Sequence, residues 1–86
     1  MLIRYIQAAM RRAEFEQMED GRYFGTIAPC KGLWADGYTA DQCREELQST
    51  LEDWMIVRLQ RGLDLPMIDG IDINPRPVYA QTDQQA

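Results

Sequence analysis

The chain has no histidine among its 86 residues. That absence removes the commonest general base near neutral pH, the imidazole metal ligand and every Ser–His or Cys–His dyad. Cysteine is scarce as well: Cys30 and Cys43 alone make neither a disulfide framework nor a metal quartet. They read as reduced, structural thiols. No apolar run approaches the roughly 20 residues that span a bilayer. The first residues carry their arginines after their apolar side chains, the reverse of a secretory signal, so cytoplasmic residence without membrane attachment is expected. Gly21, Gly25, Gly32 and Gly37 miss the spacing of a P-loop or dinucleotide fingerprint and read as turn and close-packing residues. The sequence asks for no cofactor.

Basic side chains are the minority, nine against fourteen acidic ones, for a net charge of −5. Residues 1–38 are balanced, with five of each sign, whereas residues 39–86 carry four basic and nine acidic. Phosphate neutralisation needs clustered Lys and Arg, so direct nucleic-acid binding by residues 39–86 is not expected. A basic protein is the better electrostatic match, beside the simpler reading of a solvated acidic surface. An apolar content of 45% with 9% aromatics belongs to a folded domain, and the length allows one domain with a marginal core. Association with a partner, a second copy included, would add apolar burial.

Leu2, Tyr5 or Ile6, Ala9, Met10 and Ala13 recur at helical spacing, which predicts a short helix over 2–11. Residues 13–18 suit helix or strand, and Asp20-Gly21 settles them toward a hairpin. Arg22 to Ala28 alternates with apolar residues on both faces, as a central strand does, and Pro29 ends it. Cys30-Lys31-Gly32 is a turn before a third strand, Leu33 to Asp36. Thr39 and Gln42 make a T-x-x-Q capping box, opening a helix that runs to a Gly62 C-cap. Its apolar face holds Ala40, Cys43, Leu47, Leu51, Trp54 and Met55, against Glu45, Gln48, Glu52 and Gln60 opposite. At about 1.5 Å per residue it is roughly 33 Å long, more than a small sheet can cover. Its last turns are therefore expected against the first helix or a second subunit. Ile71 to Ile73 predicts a brief final strand closed by Asn74 to Pro77, and 81–86 a frayed polar end. The fold class is α+β: a three- to four-stranded antiparallel sheet covered by one long helix, in the order α-β-β-β-α-β. Residues 1–12 form the first helix, 13–75 the α/β domain and 76–86 a polar tail.

Two chemical readings compete with a binding role. Asp20, Asp36 and Asp41 lie near turns and could converge as carboxylates, but Asp is also favoured there for local hydrogen bonding, the preferred reading. Tyr23, Phe24 and Trp34 have the composition of a stacking platform for single-stranded RNA. With no basic track beside them, they read instead as core against the long helix, as does Trp54.

The ordered set Glu19-Asp20-Gly21-Arg22-Tyr23-Phe24-Gly25-Thr26-Ile27, then Pro29, Gly32, Trp34, Gly37-Tyr38-Thr39, Cys43, Leu47, Leu51 and Trp54 resembles the HicB antitoxin family over residues 13–66. The resemblance implies a partial ribonuclease-H-like fold without a working active site, hence no enzyme. It also implies a partner, HicA, a small basic RNA-cleaving toxin that the antitoxin neutralises by covering its active surface. The sequence departs from the family pattern at Lys31, where a second proline is usual, and in the helix before the first strand. Many members continue into a ribbon-helix-helix or helix-turn-helix DNA-binding domain; 20 residues follow Pro66 here, so direct DNA binding by this chain alone is not expected. Contact with the partner is expected along the edge strand and its preceding turn, at Pro29, Lys31, Gly32 and Asp36. The alternatives are a solitary homo-oligomeric regulatory or scaffolding module and, more remotely, a metal-dependent nuclease.

Overall fold

A computed structural model describes residues 2–74. Its elements are α1 (Leu2–Arg11), β1 (Ala13–Gln17), β2 (Tyr23–Ile27), β3 (Trp34–Gly37) and α2 (Ala40–Gln60). In α1 the buried side chains Tyr5, Ala8 and Ala9 recur three and four apart, the stripe a helix needs to seat on a core. A single residue, Arg12, separates α1 from β1.

The three strands form an antiparallel meander in the order β1-β2-β3. Phe15 pairs with Gly25 and Glu16 with Phe24 in the first hairpin; Thr26 pairs with Trp34 and Phe24 with Asp36 in the second. The first turn is closed by the Met18 N–H donating to the Arg22 carbonyl at 2.7 Å, and Asp20 Oδ1 accepts the Arg22 N–H at 3.0 Å. Asp20 is thus a turn residue.

Thr39 Oγ1 accepts the Gln42 N–H at 3.0 Å, and Gln42 Oε1 accepts the Tyr38 N–H at 2.7 Å, so the capping box reaches one residue further back than its usual form. At the other end Gly62, at φ +71°, donates to the Leu59 carbonyl and Leu63 to the Arg58 carbonyl. These two bonds make a Schellman motif, whose left-handed residue is normally glycine.

Paired residues share a sheet face. The inner face carries Ala13, Phe15, Gly25, Ile27, Ala35 and Gly37; the outer face carries Glu14, Glu16, Phe24, Thr26, Trp34 and Asp36. Helix α2 lies on the inner face over β3 and β2, with Cys43, Leu47, Leu51 and Met55 buried. These join Ile27, Leu33 and Ala35 from the sheet, Tyr5, Ala8 and Ala9 from α1, and Leu65 and Ile68 from the segment after α2. Gly37 permits the closest approach: a Cβ there would fall 2.6 Å from the Cys43 nitrogen. Cys30 and Cys43 are both free and buried. Leu2 and Ile6 meet Met55, Ile56 and Leu59, while Met10 and Arg11 lie beside Arg44 and Gln48. The two helices therefore run antiparallel, and α1 takes the overhang of α2.

Two expectations are corrected. Ile71 to Ile73 adds no strand to the sheet. Ile68 and Ile71 instead form an isolated bridge around Asp69-Gly70, both at positive φ, so the order among the described residues is α-β-β-β-α. Ile68 and Ile71 exchange both main-chain bonds with each other, at 3.2 and 2.8 Å, while the Ile68 and Leu65 side chains enter the core. Trp34 and Phe24 are not core against α2: the pairings Thr26–Trp34 and Phe24–Asp36 set both on the outer face, where Trp34 is 55% exposed and Phe24 half-buried. Residues from Pro75 on, including most of the closing turn and the whole polar tail, lie outside the described residues. No helix among the described residues is long and apolar enough to cross a membrane.

Candidate partner-binding surface

No element among the described residues covers the outer sheet face. Its alternating side chains present aromatic and acidic groups together. The Phe24 and Trp34 rings stack with centroids 5.6 Å apart, and Tyr38, just past β3, is 72% exposed. Arg22 lies over the Tyr38 ring at 5.2 Å and pairs with Asp36 Oδ2 at 2.5 Å. Its Nε is buried without a hydrogen-bond partner, so this arginine is held in place mainly by Tyr38 and Asp36. Glu14 and Glu16 stand exposed at the β1 edge with no basic partner among the described residues.

The turn between β2 and β3 is built by two short bonds, the Cys30 N–H to the Ile27 carbonyl and the Leu33 N–H to the Cys30 carbonyl. Burying Cys30 and Leu33 forces the residues between them outward. Two shallow grooves flank this turn, of about 300 and 440 Å³, and Trp54 forms the wall between them. Arg58 lies over the Trp54 ring at 5.0 Å and donates from Nε and Nη2 to the Asp64 carbonyl. That contact fixes the rim of the smaller groove. Burial, opposed by Arg58, pushes the Cys30 thiol up to about 11, and burial also pushes the Tyr5 hydroxyl up to about 12. Both groups stay protonated across the physiological range. No three metal-binding side chains converge among the described residues. Asp20 and Asp36 each engage Arg22, and Asp41 sits in the first turn of α2.

A family model described as UPF0150-like matches residues 4–66. The chain belongs to the UPF0150-like family. A solved structure similar to this UPF0150-like chain is the crystal structure of TTHA0281 from Thermus thermophilus. It is 36% identical with a TM-score of 0.82, over 88% of this chain and 95% of that one. No curated protein matches the chain.

The sequence-derived contact residues are distributed over two surfaces of this UPF0150-like fold. Pro29 and Lys31 line the smaller groove and Gly32 the larger, so these three share one rim. Asp36 belongs to the same edge strand but faces outward, bound to Arg22. Trp34, Tyr38, Glu14 and Glu16 were not read as contact residues from sequence. A signal for the glutamates was present: they flank Phe15 with period two, as the outward positions of a half-exposed strand do.

Proposed function

We propose that this chain is a short HicB-like antitoxin of partial ribonuclease-H-like type, a non-enzymatic cytoplasmic protein that binds and occludes a small basic RNA-cleaving toxin of the HicA kind. The observation that carries this reading is the outer sheet face, bare among the described residues, where exposed aromatics stand among carboxylates beside two strand edges that no described strand pairs. Aromatic anchors supply binding energy, and acidic side chains steer and orient a basic partner. Membership of the UPF0150-like family, often linked to HicB-like antitoxins, supports the same reading.

The test is co-expression with a small basic protein encoded beside this chain, in cells that the neighbour alone arrests. Restored growth and a co-purifying complex are expected. Arrest that persists despite abundant folded antitoxin refutes the reading.

A second reading, a solitary homo-oligomeric module, is favoured by one feature of the helical side. Leu2, Ile3, Ile56 and Leu59 are 53%, 70%, 54% and 37% exposed around the α1–α2 seam, an apolar concentration unusual for a surface with no partner. A stable oligomer in sizing chromatography, with no toxic neighbour, would select it.

A further inference from the structure

Among the described residues the outer edge of β1 (Ala13–Gln17) is unpaired, and it has a defined chemical preference. The Met18 N–H bonds to the Arg22 carbonyl, and the strand register continues from that pair. Hydrogen-bonded and non-hydrogen-bonded pairs alternate in an antiparallel ladder. Glu16–Phe24 and Glu14–Thr26 are therefore the hydrogen-bonded pairs with β2. Ala13, Phe15 and Gln17 direct their N–H and C=O groups away from β2, off the open edge. The strand has no proline, so its edge can accept another ladder.

We infer that this edge receives a strand from the protein partner, one that alternates basic and apolar residues; the inference rests on the antitoxin reading above and specifies how the partner is held. In an antiparallel addition the new backbone bonds form at Ala13, Phe15 and Gln17. Glu14 and Glu16 then occupy the non-hydrogen-bonded positions, where directly opposed side chains approach most closely. Lys or Arg opposite each glutamate makes two cross-strand charge pairs on the outer face. On the inner face α2 covers β3 and β2 but leaves Phe15 37% exposed, so the partner's intervening apolar side chains gain a shelf. Main-chain bonds with alternate side-chain contacts are the strand-addition mode of recognition.

The same residues argue against a second copy as occupant. A two-fold axis at Phe15 sets Glu14 against Glu16 twice; an axis at Glu16 sets that residue against itself. Directly opposed like charges destabilise the pairing. Charge on an edge strand guards against self-association, and here it also selects the sign of a partner.

The probe is a capped peptide, Thr-Lys-Val-Lys-Val-Lys-Thr, titrated into the full chain at low salt and followed by amide shifts and hydrogen exchange. Phe15 and Gln17 amides are expected to shift and gain protection; the peptide with Glu for Lys produces no response. The Glu14→Lys/Glu16→Lys variant, whose thermal melt should match the parent because both sites are exposed, loses affinity for the lysine peptide by about tenfold or more. It gains a response to the glutamate peptide. Perturbation mapping to the Trp54 grooves or to the α1–α2 seam, or none at all, overturns the inference. In the growth assay, a parent chain that rescues while the double variant does not supports it. Equal rescue by both removes the β1 strand addition and leaves the antitoxin reading standing. Failure of the parent itself removes that reading.

Discussion

Replacing Gly37 with alanine tests the packing on which the rest of the molecule is arranged. The new Cβ would lie 2.6 Å from the Cys43 nitrogen, 2.9 Å from its Cα and 3.1 Å from the Gln42 carbonyl carbon. All three are main-chain atoms in the first turns of α2, so no side-chain rotation relieves the contact. Relief requires lifting α2 from β3, which loosens the seat of Leu47 and Leu51 between the layers. Overpacking of this kind costs about 3 kcal/mol, the upper part of the usual range. In a domain this small each kcal/mol moves the melting temperature by about 4–8 °C, so a fall of roughly 12–24 °C is expected. Gly62→Ala is the control. Gly62 sits at φ +71° with nothing within 4 Å of a Cβ, so only left-handed strain of about 1–2 kcal/mol applies. Circular-dichroism melts of the two variants, with urea titrations to check that the m-value is unchanged, give the comparison. The reasoning fails if Gly62→Ala is the more damaging of the two, or if Gly37→Ala melts within a few degrees of the parent.

Three further outcomes are expected. Tyr5→Phe removes a hydroxyl that donates to the Pro66 carbonyl at 2.6 Å, leaving a half-buried acceptor unpaired; a loss of about 1–2 kcal/mol in urea unfolding is expected, against none if water replaces the bond fully. Burial raises the pKa of Cys30 to about 11 and also raises that of Cys43, so the folded chain keeps protons that the unfolded chain releases. Stability is then fully present below about pH 9 and falls as pH rises from there toward 11; Cys30→Ala should flatten that fall, and a profile equally steep in the variant would contradict the assignment. Trp34→Ala loses the Phe24 stack but little burial, so its stability cost is about 0.5–1.5 kcal/mol, whereas co-purification of the proposed toxin partner should fall severalfold. Unchanged capture would take Trp34 out of the contact surface.

The helices were legible because their signals are local. Thr39, Gln42 and Gly62 bracket α2 through bonds spanning three to five residues, and α1 shows its stripe in Tyr5, Ala8 and Ala9. The hairpin between β1 and β2 was equally local, fixed by Asp20 bonding two residues on. What failed depended on register. Tyr23 to Ile27 has apolar residues at both parities, so period two could not say which side of β2 faces α2. The answer lies in Gly25 and Gly37, whose missing side chains admit Phe15 and the first turns of α2 respectively. Once those glycines face inward, Phe24 and Trp34 must face outward. The segment after α2 was misread for a similar reason. Its isoleucines suit a strand, yet Asp69 and Gly70 at positive φ turn the chain back so that Ile71 bonds Ile68 through both main-chain groups instead of a sheet neighbour. The turn from Pro29 to Gly32 was readable as a turn from its composition, whereas the outward direction of the aromatics was not.

The one-sided cover of the sheet separates two kinds of mutational freedom. Along β2 and β3, every second residue answers to α2, and the residues between face away from it. A lineage can therefore exchange Glu14, Glu16, Thr26 or Trp34 in concert with a changing neighbour while Ile27, Ala35 and Gly37 stay put. On the proposed antitoxin reading, duplicated copies in one cell can diverge in partner preference without first acquiring compensating repairs in their interiors.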